Sequence, residues 1–97
     1  MAPELLQSKP FTSKADVYAF GIVLNEMLTR RSPFSGLGPE RVSELVLDGK
    51  RPDVPSTVPR SLEKIIVQCW AQEPQHRPSF AELLEQLQRL HATQQSA

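Results

Sequence analysis

The stretch Ser13-Lys14-Ala15-Asp16-Val17-Tyr18-Ala19-Phe20-Gly21-Ile22-Val23-Leu24-Asn25-Glu26-Met27-Leu28-Thr29 decides the fold class. It holds no proline, and its apolar residues do not fall on one stripe. Ala15, Val17, Tyr18, Ala19, Phe20, Ile22, Val23, Leu24, Met27 and Leu28 cover nearly the whole circumference of a helix. We expect a helix from about Lys14 to Thr29. Ser13 is its N-cap, with Asp16 three residues on as in a capping box. A helix that is apolar all round is buried on all sides. A chain of 97 residues has few elements to surround it, because small domains bury a smaller share of their surface. The sequence therefore hints that part of the cover for this helix is missing from this chain. An uncovered apolar patch of that kind favours association.

On either side, nine prolines punctuate the chain. A loop over Arg30 to Gly38, with Ser32-Pro33-Phe34 and Gly36, leads to a short amphipathic helix over Pro39 to Leu47. Pro39 suits the first helical position and Gly49 the position just past the end. Asp48 to Pro59 reads as an irregular connection. A third helix spans about Ser61 to Ala71, with Leu62, Ile65, Ile66 and Cys69 at helical spacing; Glu73-Pro74 ends it. A fourth spans about Ser79 to His91. Ser79 and Glu82 form a capping box there, and Phe80, Leu83, Leu84, Leu87 and Leu90 form a buried stripe. Ala92 to Ala97 is a polar tail that frays. No run alternates long enough to make a strand. The fold class is all-α, with about four helices.

Composition excludes several functions. Lys+Arg and Asp+Glu are 11 each, so the net charge is zero, and nothing suggests nucleic acid or an anionic membrane as partner. The longest uncharged run, Val17 to Asn25, is far too short to span a bilayer. One cysteine permits neither an internal disulfide nor a multi-cysteine zinc site, and it suits a reducing, cytoplasmic setting. Cys69 lies on an apolar helix face and reads as a core residue, as does Trp70. His76 and His91 have no neighbours at ligand spacing, so no metal site is expected.

Three groups of residues resemble, in order, the C-terminal part of a eukaryotic protein kinase domain. Ala2-Pro3-Glu4 matches the tripeptide that closes a kinase activation segment. Asp16-Val17-Tyr18-Ala19-Phe20-Gly21 matches the start of the family's central buried helix. Cys69-Trp70, then His76-Arg77-Pro78-Ser79-Phe80, matches the end of the large lobe. Together with Gly49-Lys50-Arg51-Pro52, these residues look like the tyrosine-kinase-like group, which includes mixed-lineage and Raf-like kinases. The resemblance implies a partial kinase domain over residues 1–91, forming the lower part of the C-terminal lobe, and a tail over 92–97.

The resemblance also implies roles. Glu4 and Arg77 form a buried ion pair in the family, and removing one partner of such a pair costs about 3–5 kcal/mol. The alternative is two solvated side chains. Asp16, the helix-start carboxylate, accepts hydrogen bonds from the catalytic loop in the family; for this chain alone, the capping box with Ser13 is favoured. The helix around Glu40 to Leu47, with Phe34, Leu37 and Val42 nearby, contributes to docking in the family or packs locally. The 97 residues contain no Gly-rich loop, no Val-Ala-Ile-Lys strand, no His-Arg-Asp loop and no Asp-Phe-Gly. No catalytic, cofactor-binding or metal-binding residue can therefore be carried over. ATP and Mg2+ are implied only for an intact parent, as are its protein substrates.

The leading expectation is the C-terminal fragment of a serine/threonine kinase, opened at an internal methionine, with the remainder of the domain as its partner. Competing readings are a genuine short product that binds partners without catalysis, and an unrelated helical adaptor. Against the short product, the resemblance implies that Val17, Phe20 and Leu24 would lack cover without the catalytic loop and the upstream helix of the same lobe.

Overall fold

The computed structural model describes residues 1–10, 12–30, 34 and 36–96, the last four of these without their side chains. Ser32 and Pro33 of the expected loop lie outside them, as does Ala97. All regular structure among the described residues is helical. Pro3 at the first helical position opens a single turn, α1 (Pro3–Leu6). It ends on Ser8, which takes a left-handed φ of 60°. The Lys9 amide then reaches the Glu4 carbonyl at 3.0 Å and the Ser8 amide the Leu5 carbonyl at 3.1 Å, a Schellman closure. This turn makes a fifth helix, which apolar periodicity did not predict.

The central helix, α2, spans Ser13–Thr29. Its N-cap is Thr12, not Ser13, and no side chain caps it, so the expected Ser13–Asp16 capping box does not form. Lys14 fastens the start instead. Its carbonyl accepts a 3.0 Å bond from Arg77, and its ammonium donates to the Arg77 carbonyl. α3 (Pro39–Leu47) has the boundaries expected from Pro39 and Gly49. Gly49 sits at φ 86°, and the Lys50 and Gly49 amides bond Leu45 and Val46 carbonyls at 2.8 and 3.0 Å. An L-residue is costly in that conformation, so glycine fits here. α4 spans Arg60–Cys69, and a 3-10 turn follows at Pro74–His76. α5 spans Phe80–Ser96, beyond the expected end at His91. Ser79 and Glu82 make the reciprocal capping bonds, 3.1 and 3.2 Å.

α2 packs on α4 at a glycine. A Cβ at Gly21 would lie 2.7 Å from the Cys69 Cβ and 3.3 Å from the Ile66 carbonyl. Only a residue without a side chain lets the two helices approach so closely. Two buried clusters flank this crossing. One joins Ala2, Ala15, Tyr18, Val46, Val58, Ile66 and Trp70; the other joins Val17, Ile65, Cys69 and Leu83.

The structure corrects the burial pattern on α2. Val17 is covered, by Ile65, Cys69 and Leu83, and Phe20 and Leu24 are half-buried. The uncovered residues are Val23 (51% exposed), Met27 (70%) and Leu28. Phe80 (46%) and Leu84 (57%) of α5 are likewise exposed, so its buried stripe shrinks to Leu83 with Leu87 and Leu90 partly covered. Geometry explains both. The molecule measures 45 × 29 × 15 Å, and its thinnest dimension has room for no more than two packed helices, whose axes lie about 8–10 Å apart. Two helix thicknesses cannot cover a central helix on every side. The accessible surface is 6589 Å², against roughly 5,600 Å² for a compact monomer of this mass.

Candidate functional site

Glu4 and Arg77 lie 73 residues apart in sequence and meet in the interior. α1 carries Glu4 on its only turn. Arg77 is extended backbone just after the 3-10 turn, where Pro78 follows. Both Arg77 terminal nitrogens bond the carboxylate, at 2.7 Å to Oε2 and 2.8 Å to Oε1. This is the bidentate geometry that suits guanidinium and carboxylate. The Arg77 side chain is wholly buried. Its remaining donors go to main-chain carbonyls: Nε to Ala71 at 2.8 Å, Nη1 to Lys14 at 3.0 Å and Nη2 to Gln72 at 3.4 Å. The hydrogen bond from Arg77 holds the Glu4 carboxyl below its ordinary range, against the opposing effect of burial.

A second arginine stands beside the pair. Arg51 and Arg77 both place their guanidinium carbons over the Tyr18 ring, 5.1 and 5.0 Å from its centre. Burial pushes the Tyr18 phenol up and the Arg51 guanidinium down. Asn25, also buried on α2, donates to the Asp53 carbonyl at 3.1 Å. Sequence reading missed Arg51, Asn25 and Lys14 as structural centres, and took Tyr18 as part of an apolar surface and of the Asp16–Gly21 motif, not as a platform for two arginines. The available signal for Arg51 was its place in Gly49-Lys50-Arg51-Pro52.

Asp16 is exposed in the first turn of α2. With Ala19, Val23 and Met27 it recurs at helical spacing along one open face. Cys69 is fully buried, and burial pushes its thiol up to about 11, a core residue without nucleophilic character. Trp70 is buried in the first cluster. His76 and His91 are exposed. Among the described residues no three His, Cys, Asp or Glu side chains come together in a way that could hold a metal ion. No described helix is long and apolar enough to cross a membrane.

The geometry therefore defines a helical scaffold whose first turn is tied to the extended segment before its last helix by a buried ion pair. The sequence model of the protein tyrosine and serine/threonine kinase family matches residues 1–87. The chain belongs to that family. It is 42% identical over 89 residues to a probable serine/threonine-protein kinase of Dictyostelium discoideum, covering 92% of this chain and 7% of that protein. It is 40% identical over 90 residues to the dual specificity protein kinase pyk3 of the same organism, covering 92% of this chain and 7% of the relative. A serine/threonine/tyrosine-protein kinase of Arabidopsis thaliana, HT1, is 39% identical over 90 residues, 92% of this chain and 23% of its own length. The chain thus spans under a quarter of each of these relatives.

Proposed function

We propose that residues 1–91 are the C-terminal-lobe segment of a serine/threonine kinase domain of the tyrosine-kinase-like group, with a tail over 92–97. The parent would transfer the γ-phosphate of ATP, with Mg2+, to serine or threonine of protein substrates in the cytoplasm. This chain would supply scaffold and no reacting group. The residues present do not fit ATP and Mg2+. Among the described residues, the buried polar atoms lacking partners are the Tyr18 hydroxyl and the Asn25 carbonyl oxygen, neutral groups within the packed interior rather than a set of metal or phosphate ligands.

The observation that carries this reading is the buried, bidentate Glu4–Arg77 pair, which joins the residues of Ala2-Pro3-Glu4 to His76-Arg77-Pro78. The open face of α2 supports it, because Val23 and Met27 call for cover that a larger kinase lobe would provide. The alternative, a non-catalytic binding module, draws support from exposed Leu37 before α3 and Leu47 at its last position. Phe34 and Val42, by contrast, pack toward the core. Sequencing the transcript upstream of the Met1 codon tests the reading. An in-frame extension encoding His-Arg-Asp and Asp-Phe-Gly is the expected result. An in-frame stop, with a native product of 10.9 kDa, would overturn it.

A further inference from the structure

Arg51 faces two helix ends at once. Its Nη1 bonds the Val46 carbonyl in the last turn of α3 at 3.3 Å, and its Nε bonds the Trp70 carbonyl, the C-cap of α4, at 2.9 Å. Nη1 also reaches the Lys50 carbonyl at 2.7 Å, and Nη2 the Gln72 side-chain oxygen at 2.6 Å. Neither helix carries a basic residue in its own last turn. A guanidinium at the negative end of two helix dipoles is favourable, and it satisfies carbonyls that a helix leaves open.

The same short segment, Trp70-Ala71-Gln72, is held from the other side by Arg77. Arg77 bonds the Ala71 and Gln72 carbonyls, while Arg51 bonds the Trp70 carbonyl and the Gln72 side chain. Gln72 in turn donates to the Leu47 carbonyl at 3.3 Å, closing the link back to α3. The Tyr18 ring lies under both cations. Arg51 and Arg77 therefore share two neighbours, Gln72 and Tyr18, without bonding each other. The four acceptors of Arg51 are all neutral, so its charge is balanced by oriented carbonyls and the ring rather than by a carboxylate.

We propose that Arg51 is a positioning residue for the Glu4–Arg77 pair: through Gln72, the Trp70–Gln72 backbone and the Tyr18 ring, it fixes Arg77 in the orientation that grips Glu4. The connection after α3 thus sets the geometry of the first turn of the chain. Arg51→Lys keeps the charge but removes the planar fork that serves several carbonyls together.

The test uses the full chain. Urea unfolding of Arg51→Lys, Glu4→Gln and the double variant gives a double-mutant cycle. Exchange of the Arg77 guanidinium protons, followed by nitrogen-15 NMR, gives a local readout. We expect the unfolding constant of the double variant to depart from the product of the singles by at least about threefold, as for residues in one network. Arg77 exchange in Arg51→Lys should quicken by at least about threefold relative to wild type. Multiplicative singles with unchanged Arg77 exchange would overturn the proposal and leave Arg51 as a helix cap alone. Where the two readouts disagree, the exchange rate decides. If Arg51→Lys fails to fold, Gln72→Leu, which removes the bridge and keeps both arginines, is put through the same cycle and judged by the same thresholds. Its test needs this chain alone, so failure of the kinase reading would leave it standing.

Discussion

Glu4→Gln removes one negative charge from the interior and leaves the Arg77 guanidinium without a counter-ion. Both Glu4 oxygens accept from Arg77, at 2.7 and 2.8 Å, and the Arg77 side chain has no exposure. Breaking a buried pair from one side costs about 3–5 kcal/mol, because the remaining charge keeps its desolvation penalty. Glutamine retains one acceptor oxygen, and Arg77 keeps its carbonyl partners. The loss should therefore fall near the lower limit, about 3 kcal/mol. For a domain of this size, that lowers Tm by roughly 12–24 °C, at about 4–8 °C per kcal/mol. Arg77→Met should cost about 1–3 kcal/mol more, since the Ala71 and Lys14 carbonyls lose their donor as well. Urea unfolding followed by helical circular dichroism measures all of these. The exposed Arg41–Glu44 pair at 3.0 Å is the control, and Arg41→Gln should leave the midpoint unchanged. A loss below about 1 kcal/mol for Glu4→Gln would mean that the pair is solvated rather than buried.

The same pair gives the chain a pH dependence. Glu4 is held below its ordinary value of 4.5, so its contribution is complete above that pH and is lost as pH falls below it. Melting curves should show Tm falling on acidification, with a smaller fall in Glu4→Gln. Gly21→Ala brings a Cβ to 2.7 Å from the Cys69 Cβ and should destabilise by about 1–3 kcal/mol in urea. Cys69→Ala should not rescue it, since the clashing atom remains, whereas Cys69→Gly should restore part of the loss. At the helix starts, Ser79→Ala should cost about 1 kcal/mol in the same assay, because its hydroxyl accepts the Glu82 amide. Ser13→Ala should cost far less, since α2 begins without a side-chain cap.

How far the sequence could be read depended on where each signal resides. α3 was legible at both ends because proline at the first position and glycine just past the last are backbone requirements carried by single residues. The Ser79–Glu82 cap was legible for the same reason. Thr12 and Ser13 are adjacent residues of equal capping type, and local pattern cannot choose between them. α1 escaped notice because one turn has no period to detect. The open face of α2 was misplaced because an apolar circumference does not say which side the chain's own elements cover. α4 and α5 took the side bearing Val17 and left Val23 and Met27. Arg51 was hidden because its partners are mainly carbonyls, and they lie up to 21 residues away, at positions that follow from tertiary packing rather than residue type. Glu4 and Arg77 were found through the resemblance to kinases. Nothing in the spacing of a lone Glu and a lone Arg would have paired them.

If the chain contributes scaffold and no reacting group, it should bind no Mg2+-ATP by itself. Titration calorimetry of the purified 97-residue chain against Mg2+-ATP, with phosphoryl transfer to a generic serine/threonine substrate measured in parallel, examines this at its source. The expected result is no saturable heat and no transfer. Saturable binding of Mg2+-ATP to the chain alone, lost on unfolding, would contradict the account and would require a nucleotide site among residues assigned here only to packing.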